Sequence, residues 1–419
     1  MTAAASDFDH ARKARGLRYF TTRFASVGDQ VIVALTNFGL TLAIGRAFGA
    51  DELAAYGIGL SIALMVQGLQ RHTITIPLLL KPAAQVQRKR GAVIAAQALV
   101  LLAALVVASV ALFATWDAPR FTHLMILATA VCLAIYLELE FARAFLSKIG
   151  KPALLLAGAL FYAAVAAILA LAALTQRISF ETMLLALGAG MMVHALALLA
   201  VTRAFSLRDG ARLLSIDIKR YGGWAAAATA TYAGYNHVPL LIVGAIAAPI
   251  HAAVFVAARS LLQPLQILLR GLDVADKSAF AELRAHPYSR QAARFTLKLV
   301  ALYALIGAVI GVAVGLAAEQ LMTLAYGQKF SGQGAALIAW VPAYVLLSVS
   351  TPLESLVYAR KAFRGYFAIR GLASAIAIAA AFPLIGWYGG VGAIAACGIG
   401  WFVAVIGTGL MLMRGRAPT

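Results

Sequence analysis

Residues 60–80 read LSIALMVQGLQRHTITIPLLL, an apolar stretch with one arginine, Arg71, inside it. A transmembrane helix needs about 20 mostly apolar residues, so the stretch is long enough to cross a bilayer. A second apolar stretch, HAAVFVAARSLLQPLQILL at residues 251–269, contains Arg259 in the same way. Arginine within a span is rare and usually faces the interior of a helix bundle or a water-filled cavity. The two arginines are therefore the first candidates for binding residues.

The composition indicates an all-α integral membrane protein whose first partner is the lipid bilayer. The 419 residues are 63% hydrophobic and 12% charged, and the mean hydropathy is +0.88. Soluble proteins are about 45–50% apolar and about 25% charged. The net charge is +19, and the Lys and Arg residues recur in alternate loops instead of on one face or in one tail. This pattern argues against nucleic acid as a partner. Both cysteines, Cys132 and Cys397, fall in apolar spans, so no disulfide framework is expected.

Hydropathy predicts twelve transmembrane helices. The predicted spans are 26–48, 53–80, 91–115, 121–146, 153–175, 180–202, 222–247, 251–272, 292–318, 333–357, 364–385 and 389–412. When the loops are assigned alternately to the two sides, 29 of the 35 Lys and Arg residues fall on one side and four on the other, and Arg71 and Arg259 are the remaining two. The positive-inside rule then places both termini in the cytoplasm.

The longest basic loop in the middle of the chain, residues 203–223, separates six spans from six. Even numbers of spans in each half predict parallel repeats around a central cavity. The expected organisation is a cytoplasmic amphipathic segment at 1–25, a six-helix bundle at 26–202, a cytoplasmic linker at 203–221, a second six-helix bundle at 222–413 and a cytoplasmic tail at 414–419.

Polar residues recur at helical spacing around both arginines. In one span Arg259, Gln263, Gln266 and Arg270 share a face, and in the other Gln67, Arg71 and Thr75 do so. Polar groups also cluster in the middle of the seventh span, and the first span carries one asparagine. The predicted substrate-binding residues are Arg71, Arg259, Gln67, His72, Gln263, Gln266, Tyr235, Asn236, His237 and Asn37.

Two interpretations of the arginines are open. In the first, the two arginines form an anion site, because guanidinium binds two phosphate oxygens at once. In the second, each arginine pairs with a buried carboxylate or with main-chain carbonyls freed by a nearby proline. The span carboxylates Asp29, Glu138, Glu140 and Glu354 map near the predicted cytoplasmic ends, which predicts net positive charge at mid-membrane. Tyr235, Asn236 and Asn37 equally suit hydrogen bonds between helices.

The carboxylates suggest a gate. Glu140 is expected to pair locally with Arg143, three residues further on. Asp29, Glu138 and Glu354 have no obvious local partner, so we expect them to close the inward mouth by pairing with cations of the other half, or to bind a coupling proton or sodium ion.

Motifs for enzymatic chemistry are absent from the sequence. There is no P-loop, and the seven histidines show no paired ligand spacing, so neither a cofactor nor a metal is expected. The loops predicted on the non-cytoplasmic side are short, the longest being residues 319–333, and leave no room for a catalytic domain.

Three segments resemble the multidrug/oligosaccharidyl-lipid/polysaccharide exporter superfamily, and within it the bacterial polysaccharide (O-antigen type) flippases. They are residues 26–80, residues 324–364 and FPLIGWYGGVGAIAACGIG at 382–400. The resemblance implies a two-bundle, alternating-access transporter in the bacterial cytoplasmic (inner) membrane. Its implied substrate is a polyprenyl-diphosphate-linked oligosaccharide, flipped to the outer leaflet.

For that branch the resemblance implies a cationic cavity containing Arg71 and Arg259. A monomer is expected, with a polysaccharide polymerase and chain-length machinery as further partners. A cation-coupled multidrug exporter of the same superfamily and a membrane-embedded glycan polymerase or ligase are the alternatives.

Overall fold

The computed structural model describes residues 2–265, 269 and 288–414, without the side chains of residues 2–24 and of Val201. In the first half the elements are α1 (Thr2–Ala47), α2 (Ala50–Gln70), a π-helical segment (Arg71–Thr75), α3 (Ile76–Leu80), α4 (Ala83–Arg88), α5 (Arg90–Ala114), α6 (Arg120–Ile149), α7 (Pro152–Leu174) and α8 (Phe180–Thr202). The described residues contain no strand.

The second half is helical in the same way. Its elements are α9 (Leu207–Asn236), α10 (Val238–Ile246), α11 (Pro249–Leu261), α12 (Arg290–Leu316), α13 (Ala318–Tyr326), a 3-10 turn (Gln328–Phe330), α14 (Gly334–Arg360) and α15 (Phe363–Arg414). The predicted all-α membrane fold is confirmed, since nine helices within the described residues are long and apolar enough to cross a membrane.

Twelve spans were predicted, but nine such helices occur within the described residues. Three local features explain the difference. The predicted span 222–247 is divided at His237 between α9 and α10, and neither part is apolar and long enough alone. The predicted span 251–272 contains only 13 residues of α11 before residues outside the described part. The predicted spans 364–385 and 389–412 both lie within α15.

The α15 segment folds back on itself as an antiparallel helical hairpin. Its 52 residues would extend roughly 78 Å if straight, far more than the ~30 Å hydrocarbon core. Gly389 breaks the helix with φ 55° and ψ −127°, a conformation that side chains disfavour. Across the two arms a methyl group on Gly365 would meet Met411, and one on Gly407 would meet Ile369. The predicted eleventh and twelfth spans are therefore the two arms of one hairpin.

The chain divides into two compact units. The first comprises Met1–Leu40, Val66–Ala118 and Ile126–Ala225, and the second comprises Thr41–Met65, Pro119–Met125 and Ala226–Thr419. Within the second unit Gly57 packs against Val256 and Gly244 against Ile58, because each glycine leaves space for the neighbouring side chain. These contacts explain why residues 41–65 pack with later helices instead of with the rest of α1 and α2.

The segments predicted as extramembrane are partly continuous with spans. From Thr2 onwards the predicted N-terminal segment 1–25 is the first part of α1, which continues without a break into the first span. Its apolar face lies among side chains that the structure does not describe. The predicted linker 203–221 is helical from Leu207 and continues into the seventh predicted span as α9.

The turn of the hairpin gives a matched pair of substitutions. Gly392→Ala would place a methyl group against the main chain at Leu384, whereas Gly398, on the same arm, has open space around its Cα. We expect Gly392→Ala to lower the free energy of unfolding by about 1–3 kcal/mol through overpacking. Gly398→Ala should be neutral or stabilising by up to about 1 kcal/mol, because alanine favours helix. Thermal unfolding of both variants in detergent tests the hairpin, and equal midpoints would contradict it.

Candidate functional site

Arg71 opens the π-helical segment Arg71–Thr75 in the first unit. The amide of Ile76 donates to the carbonyl of Arg71, five residues earlier, instead of to the residue four earlier. Pro77 follows directly and has no amide hydrogen, which disturbs the regular ladder. The extra residue in this turn rotates the residues beyond it. The predicted stripe of Gln67, Arg71 and Thr75 is therefore wrong, since Thr75 is buried while 64% of the Arg71 side chain is exposed.

Two arginines and two carboxylates form a chain of ion pairs in the first unit. Arg71 Nε lies 3.7 Å from Glu140 Oε1, and Arg143 Nη1 lies 3.0 Å from Glu140 Oε2. Arg143 Nε also donates to Asp29 Oδ2, whose side chain is only 3% exposed. We call these four residues the acid–arginine chain. Its formal charge is zero, so the net positive charge predicted at mid-membrane does not hold around Arg71, where Glu140 lies beside the arginine.

Glu138 is the other carboxylate of this unit within a span. Its Oε1 lies 3.3 Å from His194 Nδ1, and both side chains are largely buried. Gly158 lies against the His194 ring, because a methyl group there would overlap Nε2. The pair is ionic only when the histidine is protonated.

Arg259 has different partners in the second unit. Its Nη1 donates to the carbonyl of Asn236 over 3.1 Å, and its Cζ lies 5.6 Å from the centre of the Trp340 ring. The carbonyl of Asn236 is available because α9 ends there and the amides of Leu240 and Leu241 both donate to His237. Both partners are neutral. Within the part of the chain that the structure describes, the positive charge of Arg259 has no carboxylate contact.

A second arginine of this unit, Arg370, is not among the predicted binding residues. Arg370 lies in the first arm of α15, is 11% exposed, and its Nη2 lies 3.7 Å from Glu354 Oε2. Its guanidinium carbon lies 4.4 Å from the centre of the Tyr366 ring and 5.4 Å from that of Tyr232. Arg370 lies near the start of the predicted span 364–385 and was counted with the positive charge of the cytoplasmic side. The signal that could have found it is Glu354, because a carboxylate within a span needs a nearby cation.

The partners of the predicted gate residues all lie within the same unit as the residue itself. Asp29 contacts Arg143, Glu138 contacts His194, and Glu354 contacts Arg370. The expected pairing with cations of the other half is therefore not what these three carboxylates show in this structure. The expected Glu140–Arg143 pair is confirmed. The proposed roles of Asp29, Glu138 and Glu354 in gating or coupling stay predictions.

Several other predicted binding residues make hydrogen bonds within their unit. The Gln67 amide donates to the carbonyl of Tyr136 over 3.1 Å, and His72 Nδ1 lies 2.7 Å from the carbonyl of Gly68. The Asn37 Oδ1 accepts from the Tyr162 hydroxyl over 2.6 Å. For Asn37 the interhelical interpretation is the one the structure supports.

The polar cluster of the seventh predicted span is buried. The Tyr235 ring packs edge-on against Trp401 with centroids 4.9 Å apart. Asn236 Nδ2 lies 3.2 Å from His237 Nε2, and both residues are at most 5% exposed. These residues lie around the break between the end of α9 and the start of α10.

The predicted stripe beyond Arg259 is only partly described. The helix α11 ends at Leu261, shortly before Pro264, and Gln263 is half-buried beyond that end. Gln266 and Arg270 lie outside the described residues. No group of three His, Cys, Asp or Glu side chains able to hold a metal occurs among the residues searched, which are the described ones.

Comparison with known proteins shows a likeness of fold. No protein-family model and no curated protein matches the sequence. Among solved structures, the chain superposes on an inward-facing multidrug resistance MATE family transporter of the MOP superfamily with a TM-score of 0.71. The two are 15% identical, and the match covers 93% of this chain and 98% of that one.

Two further structures share the fold. One is the lipid II flippase MurJ in an inward closed conformation, with a TM-score of 0.67 at 13% identity, covering 95% of this chain and 87% of that one. The other is a MOP superfamily transporter from Pyrococcus furiosus described as having a binding pocket of reverse polarity, with a TM-score of 0.55 at 15% identity, covering 94% and 93%. The chain therefore has the fold of MOP superfamily transporters, as its resemblance predicted.

The contact between Asp29 and Arg143 predicts that the losses of stability in a double-mutant cycle are not additive. Arg143→Gln removes a cation from buried Asp29, so we expect it to lower the free energy of unfolding by about 3 kcal/mol. Asp29→Asn combined with Arg143→Gln should recover at least half of that loss. As a control, Arg120→Gln breaks the more exposed pair with Glu52, whose atoms are 3.4 Å apart, and should cost less than about 1 kcal/mol. Unfolding titrations in detergent measure all three, and additive losses in the double variant would contradict the pairing.

Proposed function

We propose that this protein is a transporter that moves a polyprenyl-diphosphate-linked oligosaccharide from the inner to the outer leaflet of a bacterial cytoplasmic membrane. The MOP transporter fold supports the transport class. The observation that favours an anionic lipid-linked substrate is the Arg259 guanidinium, because its described partners are neutral.

Arg259 has the chemistry that a diphosphate requires. A guanidinium presents a planar fork that binds two phosphate oxygens at once, and such charge-assisted bonds are about twice as strong as neutral ones. A diphosphate oxygen would therefore displace the carbonyl of Asn236 as the preferred acceptor. The face of Trp340 holds the guanidinium in place without neutralising its charge.

Arg71 offers a second, more exchangeable cation. Its contact with Glu140 is long and runs through Nε, and most of the side chain is exposed. Glu140 has Arg143 as a closer partner, so it would remain paired if Arg71 turned towards an anionic substrate. In this proposal Arg71 assists binding, whereas Arg259 is essential for it.

The membrane potential supplies part of the driving force. With the cytoplasm negative, outward movement of an anion releases about 2.3 kcal/mol per charge per 100 mV. Transport by alternating access then needs no ATP. A counter-flow of protons or sodium ions is the other source, with Asp29, Glu138 and Glu354 as the candidate coupling groups.

Released substrate would pass to a polysaccharide polymerase and its chain-length machinery, and the transporter would act as a monomer.

A cation-coupled multidrug exporter is the second candidate, and it rests on a different observation. Asp29 and Glu138 are buried carboxylates within spans, and such groups suit the binding of protons or cationic drugs. Asp29 contacts the Arg143 cation and Glu138 contacts His194, which makes both carboxylates less available for a cationic substrate.

Arg259→Gln should reduce flipping about 10- to 100-fold, because it removes a charge-assisted contact to the diphosphate. Arg259→Lys should restore only part of the rate, since an ammonium lacks the fork. Arg177→Gln removes the same charge from an exposed position and is the control. The assay is outward flipping of a fluorescent polyprenyl-diphosphate oligosaccharide in proteoliposomes, with monodispersity in detergent as the check on folding.

Three outcomes are informative. Loss of flipping in Arg259→Gln alone supports the proposal, and an equal loss in Arg177→Gln contradicts a specific site. If wild-type proteoliposomes do not flip the lipid but exchange a cationic dye for protons or sodium, and Asp29→Asn stops the exchange, the multidrug candidate replaces the flippase.

A further inference from the structure

The first unit contains a basic cavity whose lining includes none of the predicted binding residues. It measures about 850 Å³ and is lined by two segments, residues 87–92 and residues 203–216, more than 100 positions apart in sequence. The lining cations are Arg88, Lys89, Arg90, Arg203 and Arg212. One carboxylate, Asp209, faces these five cations, so the formal charge of the lining is +4.

Two glycines bring the walls of this cavity together. A methyl group on Gly91 would press against the main chain at Ala204 and Phe205, and one on Gly210 would overlap the main chain at Ala96. The amide of Ser206 also donates to the carbonyl of Gly91 over 3.3 Å. The cavity is therefore fixed by close packing of α9 on the start of α5, not by flexible side chains alone.

Two long helices begin at the wall of the cavity. The 25-residue α5 begins at Arg90 and the 30-residue α9 begins at Leu207. The Lys89 side chain, at the N-cap of α5, makes no capping hydrogen bond, and the start of a helix favours an anion. Asp209 accepts from Ser206 Oγ over 2.7 Å, so its carboxylate is already engaged. Helix dipoles and lining cations thus favour the same negative ligand.

The rim of the cavity is apolar. Phe205 and Ile216 both line it and are about half exposed, at 51% and 52%. Leu207, next to Phe205, is similarly exposed. Exposed apolar side chains beside clustered cations are typical of a helix at a membrane surface. Both segments lie on the side that the distribution of charge predicts to be cytoplasmic, where anionic headgroups attract basic residues.

From this arrangement we infer that the cavity binds the phosphate of an anionic membrane lipid headgroup. The cations and helix termini hold the phosphate, and the apolar rim contacts the start of the acyl chains. A free phosphate ion offers the same chemistry to the cations but nothing to the rim. Neither Arg71 nor Arg259 lines this cavity, and all of its lining residues belong to the first unit.

A pair of triple variants with equal charge tests the inference. Arg88→Gln, Lys89→Gln and Arg212→Gln remove three lining cations, whereas Arg208→Gln, Lys219→Gln and Arg220→Gln remove three exposed cations of α9 that do not line the cavity. The full chain in neutral detergent is titrated with dioctanoyl phosphatidylglycerol, dioctanoyl phosphatidylcholine and inorganic phosphate. Native mass spectrometry counts the bound molecules.

We expect wild type to bind phosphatidylglycerol at least tenfold more tightly than phosphatidylcholine or phosphate. The lining triple should weaken phosphatidylglycerol binding about 100-fold, at about fivefold per cation, and the control triple less than threefold. If the lining triple does not fold, the single variants Arg88→Gln and Arg212→Gln make the same comparison. Equal losses in lining and control variants, or equal binding of all three ligands by wild type, would overturn the lipid site. Phosphate binding as tight as that of phosphatidylglycerol would replace the lipid with a free anion.

Discussion

The cost of a charge in hydrocarbon is the constraint on which the described structure depends. A single unpaired charge in a span costs several kcal/mol, so embedded charges pair with one another or with main-chain carbonyls. Asp29 pairs with Arg143, Glu138 with His194 and Glu354 with Arg370. Arg259 differs from these pairs, because its described contacts are a carbonyl and an aromatic ring and include no carboxylate. A cation stabilised without being neutralised is suited to bind an anion, and the proposed function rests on this difference.

The sequence predicted the fold class well because hydropathy is a local property. Apolar runs and glycine turns located most helices to within a few residues, and the Gly389 region correctly separated two spans that α15 contains as a hairpin. Loop charge was less reliable near helix ends. Arg143 and Arg370 were counted with the loop charge because they lie close to the ends of the predicted spans 121–146 and 364–385. Both are within helices, since α6 continues to Ile149 and α15 begins at Phe363.

The ionic partners could not be predicted, because they depend on packing between distant segments. Asp29 and Arg143 are 114 positions apart, and nothing in either local sequence indicates the other. The sequence shows where the prolines are, but it does not predict how the helix is distorted at each of them. Near Pro77 the chain widens into a π-helical turn that exposes Arg71, and near Pro239 it divides a span and releases the carbonyl of Asn236. The structural and functional interpretations of the arginines thus prove compatible, since a released carbonyl holds Arg259 and leaves its charge uncompensated.

The most direct measurement is an electron cryo-microscopy structure of the protein with a bound polyprenyl-diphosphate oligosaccharide. We expect diphosphate density within hydrogen-bonding distance of the Arg259 guanidinium, with the contact to the carbonyl of Asn236 lengthened or lost. Diphosphate density elsewhere, with Arg259 still bonded to Asn236, would exclude the proposed role of Arg259.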